Sequence, residues 1–139
     1  MSKSVACIDY RNGKVFIAKR QNVGDMGGRW EFPGGKIDDG EDDKTAIKRE
    51  MNEEFGVEVS VGEKICESTF FHKEKKCYLY VYFIHFKNDG IEKRFSLTEH
   101  TDYKWIELEK IPELNFVDSD LKIYPEVVNA IKNLQKEIL

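Results

Sequence analysis

The sequence contains no apolar run approaching the ~20 residues that a membrane-spanning helix requires, and it has no internal repeat or low-complexity tract. A membrane helix is therefore not expected. Positive charge is not in excess either: 22 Lys and Arg stand against 26 Asp and Glu, a formal net charge of −4. Long nucleic acid needs a footprint of clustered cations and is not an expected partner, although a few local cations can still serve a small phosphate. Cysteine is scarce. Cys7, Cys66 and Cys77 form no CxxC pair, and their odd number, with no leader-like opening stretch, leads us to expect reduced thiols in a cytoplasmic protein. His72, His85 and His100 lack metal-ligand spacing with one another or with the cysteines, so zinc is not expected and these histidines are assigned no chemistry.

What is present is enough to fold. The chain of 139 residues is 40% hydrophobic and 12% aromatic, which supports a sizeable core and predicts one domain over residues 1–139. Val5 and Cys7, then Val15 and Ile17, alternate with their neighbours around Asn12-Gly13, so residues 2–20 predict an opening hairpin. A glycine-rich loop, QNVGDMGGRW, leads into EFPGG. From about Asp42 to Phe55, Ala46, Ile47, Met51 and Phe55 recur at helical intervals, with acidic residues in the first turn and Gly56 just past the end. Residues 57–73 and 76–88 predict two further strands, with KNDG at 87–90 as a turn. YKWIEL, residues 103–108, predicts a late strand. Ile123, Val127, Ala130, Ile131 and Leu134 predict a final helix with Pro125 near its first turn. The fold class is thus α/β (α+β), a mixed sheet with helices packed on it.

The chemistry concentrates on the first helix. At about 100° per residue, Glu50, Glu53 and Glu54 fall on one stripe. Like charges at this spacing repel, so the stripe either faces solvent or holds a cation. Oxygen ligands in this number suit Mg²⁺ or Mn²⁺. Arg49 can orient one carboxylate through a bidentate hydrogen bond and leave the others for metal. Gly34 and Gly35 offer unobstructed backbone, and Lys36 adds a cation, so the segment describes a site for a metal-bound polyphosphate.

Gly35, five residues, Glu41, seven residues, Arg49-Glu50-Met51, one residue, Glu53-Glu54, one residue and Gly56-Val57 together resemble the Nudix box at every fixed position. FIAKR, EFPGGKI, the TEH stretch before Trp105 and FVDSDLKI resemble the MutT branch of that family, and the resemblance covers most of the chain. It implies an α/β/α sandwich with a mixed sheet, a box (residues 35–57) folded as loop, helix and loop, and Mg²⁺-dependent hydrolysis of a nucleotide, with Mn²⁺ as a substitute. It further implies Glu50, Glu53 and Glu54 as metal carboxylates, the carbonyl of Gly35 or Gly34 as a backbone ligand, Arg49 as their orienter and Glu41 in support at the helix entrance. Glu99 corresponds to one more carboxylate directed at the metal. Glu53 and Glu99 are the candidates for general base. Arg20 and Lys36 match phosphate-contacting positions.

Asp120 corresponds to a residue that points at the nucleobase. An ionised aspartate only accepts hydrogen bonds, which favours cytosine or the N1/N2 edge of guanine. Asp120 could equally serve as the N-cap of the final helix, with Asp118 a rival for either role. Phe32, Tyr80 and Phe116 could stack on a base or belong to the core. The expected activity is cleavage of a (deoxy)nucleoside triphosphate, such as CTP, dCTP or an oxidised or methylated dNTP, to the monophosphate and pyrophosphate. A sugar nucleotide or dinucleoside polyphosphate substrate, or a nucleotide-sensing module without catalysis, stays open as an alternative, and the chain is expected as a monomer or homodimer.

Overall fold

The computed structural model describes residues 2–87 and 99–138. Its layers follow from two strands that are apolar on both faces, β1 (Ser2–Ile8) and β3 (Lys14–Arg20). β1 lies inside one sheet, antiparallel to β5 (Gly34–Lys36) and parallel to β7 (Lys75–Phe86), which in turn pairs antiparallel with β6 (Val59–His72). β3 is the centre of a second sheet: β8 (His100–Glu107) runs along one edge, while β2 (Tyr10–Arg11) and β4 (Trp30–Glu31) pair with opposite ends of the other. Residues facing one way, Val5, Cys7, Phe16 and Ala18, pack on Ile47, Met51 and Phe55 of α1 (Asp43–Phe55). Those facing the other way, Ala6, Ile8, Val15 and Ile17, pack on Ile123, Val127 and Ile131 of α2 (Asp118–Ile138). A strand buried on both faces needs a near-continuous apolar run, which both segments supply. The outcome is the expected α/β/α sandwich with a mixed sheet.

The helices are placed by the same arithmetic. Ile47, Met51 and Phe55 stand one turn apart and are fully buried, each contributing roughly 1.5–3 kcal/mol by area. Burying that face fixes the rotation of α1 and turns Glu50 and Glu53 away from it. Asp42 caps the start, accepting from the Thr45 N–H at 2.7 Å. Gly56, with φ 65°, closes the end by returning its N–H to the Asn52 and Met51 carbonyls, a left-handed conformation that a side chain would oppose. No helix among the described residues is long and apolar enough to cross a membrane.

Several elements differ from their sequence-based expectation. The Asn12-Gly13 turn joins β3 to the two-residue β2, while β1 leaves for the other sheet. The switch occurs at Asp9, whose buried carboxylate accepts from Phe86 N–H at 2.9 Å and from Arg11 at 3.1 Å, tying the chain to the end of β7. The β6–β7 turn is made by Lys73 and Glu74, both at positive φ without the usual glycine or asparagine. Asn88, Asp89 and Gly90, expected as a turn, and Thr98 of the TEH stretch lie outside the described residues. β8 starts at His100, earlier than the apolar pattern indicates. α2 starts at Asp118, which puts Pro125 inside the helix instead of near its first turn.

Candidate active site

β5 runs beside α1, and the two approach to contact distance where Gly35 faces Glu50. A Cβ on Gly35 would lie 2.6 and 2.7 Å from the Glu50 carboxylate oxygens, so only glycine admits that carboxylate against the backbone. Arg49 fastens the arrangement. Its Nε–H and Nη2–H donate to the two oxygens of Glu41 at 2.8 and 2.9 Å, Nη2–H also to the Lys36 carbonyl at 3.0 Å, and Nη1–H to Glu50 at 3.0 Å and Glu53 at 3.3 Å. Glu41 closes the loop by accepting from Asp38 N–H at 3.0 Å. The Arg49 pairing, helped by that backbone bond, holds Glu41 down to about 2, and the same pairing raises Arg49.

The remaining carboxylates crowd one another. Burial raises the Glu50 pKa against the pull of Arg49, and the charges of Glu99 and Glu53 push it the same way. Glu54 is buried, and its carboxylate accepts from the Glu99 N–H at 3.1 Å and the His100 N–H at 3.2 Å. One ligand atom each from Glu54, Glu99 and His100 lie within 4.8 Å of one another. Carboxylates gathered on one stripe of α1 and at Glu99, beside a glycine cradle, form a hard-oxygen donor set, which fits a divalent ion such as Mg²⁺.

His100 and Glu31 are the residues that sequence reasoning passed over. The His100 ring bridges two carboxylates, Nε2 to Glu31 at 2.7 Å and Nδ1 to Glu54 at 3.0 Å, and stacks on Phe55 at 5.6 Å between centroids. Burial works against a charged ring, but Glu31 and Glu54 outweigh it and leave the pKa above the usual histidine value. Glu31 also accepts from Arg20 Nη1–H at 3.1 Å. A one-residue register shift turns His100 this way: Lys19 pairs with Asp102 but Arg20 with His100, so Thr101 is skipped. Strict alternation from Trp105 and Tyr103 would have put His100 on the opposite face.

Arg20, Gly34, Gly35, Lys36, Glu99 and Asp120 all line one cleft of about 540 Å³, walled by the 23–26 loop, the tip of the β6–β7 hairpin and the start of α2. Of the candidate metal carboxylates, Glu99 lines this cleft with the substrate-contacting candidates, whereas Glu50, Glu53 and Glu54 are not among its lining residues. Asp120 is buried within the first turn of α2, beyond its cap position, and its carboxylate accepts from Phe32 N–H at 2.9 Å. Burial, with some help from the charge of Glu31, lifts its pKa to about 8. At neutral pH it is mostly protonated and offers a donor as well as an acceptor, which corrects the premise of an ionised, acceptor-only aspartate. Asp118 points elsewhere, exposed and paired with Arg29 at 3.1 Å. Phe32 and Phe116 are core residues in edge contact at 5.2 Å, Phe32 also forming cleft wall, and Tyr80 packs on the α1 side. A second cavity of about 610 Å³, between the Asn12-Gly13 turn, β7 and α2, includes none of these residues.

A family profile described as NUDIX domain matches residues 2–127. Over 65 residues the chain is 43% identical to the CTP pyrophosphohydrolase of Escherichia coli K12, covering 47% of this chain and 48% of that protein. Over 60 residues it is 45% identical to the 8-oxo-dGTP diphosphatase of Proteus vulgaris, covering 43% of this chain and 52% of that protein. The chain thus spans about half the length of these two relatives. The crystal structure of the MutT protein from Methanosarcina mazei Go1 superposes with a TM-score of 0.78 at 25% identity, covering 94% of each chain.

Proposed function

The chain belongs to the NUDIX family, and from that premise we propose that it is a metal-dependent nucleoside triphosphate pyrophosphohydrolase, acting as one domain on CTP, dCTP or an oxidised or methylated dNTP. The observation that carries this reading is that Arg20, Gly35, Lys36, Glu99 and Asp120 line one cleft. That grouping suits a polyphosphate held by the cations with its base at Asp120. The names of the two curated relatives, one for a cytosine nucleotide and one for an oxidised guanine nucleotide, agree with it.

Each residue has a part that follows from its surroundings. Glu50, Glu53, Glu54 and Glu99, with the Gly35 or Gly34 carbonyl, would hold Mg²⁺, or Mn²⁺ in its place, which when bound would supply charge neutralisation at the phosphate oxygens and a lowered pKa for water. Arg49 keeps Glu50 and Glu53 oriented while its strongest bonds go to Glu41. Arg20 and Lys36 bind the phosphate chain and hold it for in-line attack. Glu53 and Glu99, the more exposed carboxylates of the set, can take the proton from the attacking water and pass it to solvent. Asp120 reads the base through its remaining hydrogen-bonding capacity.

The test is a phosphate-release screen over natural, oxidised and methylated nucleotides with Mg²⁺, run with and without inorganic pyrophosphatase. Release only when pyrophosphatase is added identifies pyrophosphate as the product. Release without it would assign cleavage at the terminal phosphate, and no release from any triphosphate would remove this reading.

A further inference from the structure

From the carboxylate set a series of four side chains runs outward across four elements: Glu54 on α1 and His100 on β8, both buried, then Glu31 on β4 and Arg20 on β3, both partly buried. Both His100 ring nitrogens are engaged, at 2.7 Å to Glu31 and 3.0 Å to Glu54, and its backbone N–H adds a third bond to Glu54 at 3.2 Å. Stacking on Phe55, with 26° between the planes, leaves the ring no rotation that keeps these bonds. Arg20 depends on the far end. Its Nη1–H donates to Glu31, while its buried Nε–H has no hydrogen-bond partner among the described residues, so Glu31 is the side chain that aims this guanidinium.

We propose that His100 is a positioning residue that fixes the metal carboxylate Glu54 and, through Glu31, the phosphate-binding Arg20 in one rigid array. The proposal rests on the reading of the cleft as a metal and phosphate site. Glu54 belongs to α1, whereas Arg20 and Glu31 belong to strands of the second sheet. A metal ion and the phosphate chain it accompanies must meet at a set distance, and a misplacement of about 1 Å can cost on the order of 100-fold in rate. The imidazole bridge makes the two sides one unit. It does so as an outer partner and not as a ligand, because both ring nitrogens already face carboxylates.

The array predicts coupling between residues that do not touch. Mn²⁺ binding, read by electron paramagnetic resonance on the intact chain without nucleotide, is compared in the wild type, Glu31→Ala, His100→Ala and the double variant, with circular dichroism as a check on folding. His100→Ala is expected to weaken Mn²⁺ about tenfold, the lower end of the range for outer partners of metal ligands. Glu31→Ala is expected to weaken it at least threefold, and to add nothing once His100 is gone. If His100→Ala fails to fold, His100→Gln replaces it, since both amide donors sit on one nitrogen and cannot span the two carboxylates that separate ring nitrogens reach. Unchanged affinity in Glu31→Ala, effects that multiply in the double variant, or ¹⁴N coupling from an imidazole bound directly to Mn²⁺ would each overturn the proposal. Wild-type protein that binds no Mn²⁺ would overturn the reading of the cleft, and the proposal with it.

Discussion

Arg49 and Glu41 meet edge to edge, two parallel N–H donors on two carboxylate oxygens at 2.8 and 2.9 Å, across the turn that leads into α1. The fork geometry leaves the Nη1 side of the same guanidinium for Glu50 and Glu53. Lysine keeps the charge but has a single nitrogen, so it cannot serve both sides. Arg49→Lys should therefore lower kcat/KM by about 10–100-fold, the range for losing an outer partner that orients metal ligands. A loss of less than threefold in steady-state kinetics would show that orientation by Arg49 is dispensable.

Chelation should abolish turnover, and Mg²⁺ or Mn²⁺ should restore it. Glu53 is largely exposed, with like charges nearby on α1 and a 3.3 Å contact to Arg49. Removing its charge should cost little structure. Glu53→Gln is expected to lose most of the rate, on the order of 100-fold or more, while melting no earlier than the wild type in the absence of metal. A marked drop in melting temperature would instead make the contact with Arg49 a structural one.

Alanine at Arg20 or Lys36 should reduce kcat/KM by about 10–100-fold, the equivalent of a charge-assisted hydrogen bond to phosphate. Arg20→Ala also frees Glu31, so its loss should be the larger of the two. Kinetics within twofold of the wild type at both sites would mean that neither side chain contacts the substrate.

Asp120 ties stability to pH in an unusual direction. Its pKa rises from 3.8 to about 8 on folding, so the folded state binds the extra proton between those values. Stability contributed at this position is therefore full at low pH, declines as pH rises through the window from about 4 to 8, and is level above it. Asp120→Asn removes the titration. Its melting temperature relative to the wild type should climb across the same window, and a difference that does not vary with pH would refute the assignment.

The same proton bears on base selection. Below pH 8 the protonated carboxyl can face either a donor or an acceptor edge, while above it only a donor edge such as the cytosine amine is satisfied. CTP should be preferred over UTP, and the ratio of their kcat/KM values should widen as pH passes 8. In Asp120→Asn the ratio should be smaller and flat. A wild-type ratio that stays constant from pH 6 to pH 9 would separate Asp120 from base recognition.

The site was legible in the sequence wherever it obeys a single local period. Glu50, Glu53 and Arg49 could be placed because α1 is regular from its Asp42 cap to Gly56, and Gly35 because contact with Glu50 demands the smallest residue. Glu31 and His100 could not. Glu31 sits on a two-residue strand with no period to read, and His100 precedes a skipped residue that inverts the alternation of β8. The opening hairpin misled for a related reason: Asn12-Gly13 specifies a turn but not which strand pairs across it, and Asp9 diverts β1 to the other sheet. The raised pKa of Asp120 depends on burial and on its neighbours Glu31 and Phe32, which are distant from it in sequence.

Thr101 carries the remaining consequence. Its side chain is exposed, and no side-chain bond within the array involves it. As a letter it is free to drift, and as a unit of length it is a surplus residue. Deleting it would leave Lys19 opposite Asp102 and Arg20 opposite His100 in even alternation, with Tyr103 and His100 two residues apart and both on the α1 side, whereas exchanging it for serine or lysine would leave the bulge as it is. Across descendants of this chain, position 101 should therefore tolerate almost any spelling and a gap as well, while the pairing of His100 with Arg20 stays fixed.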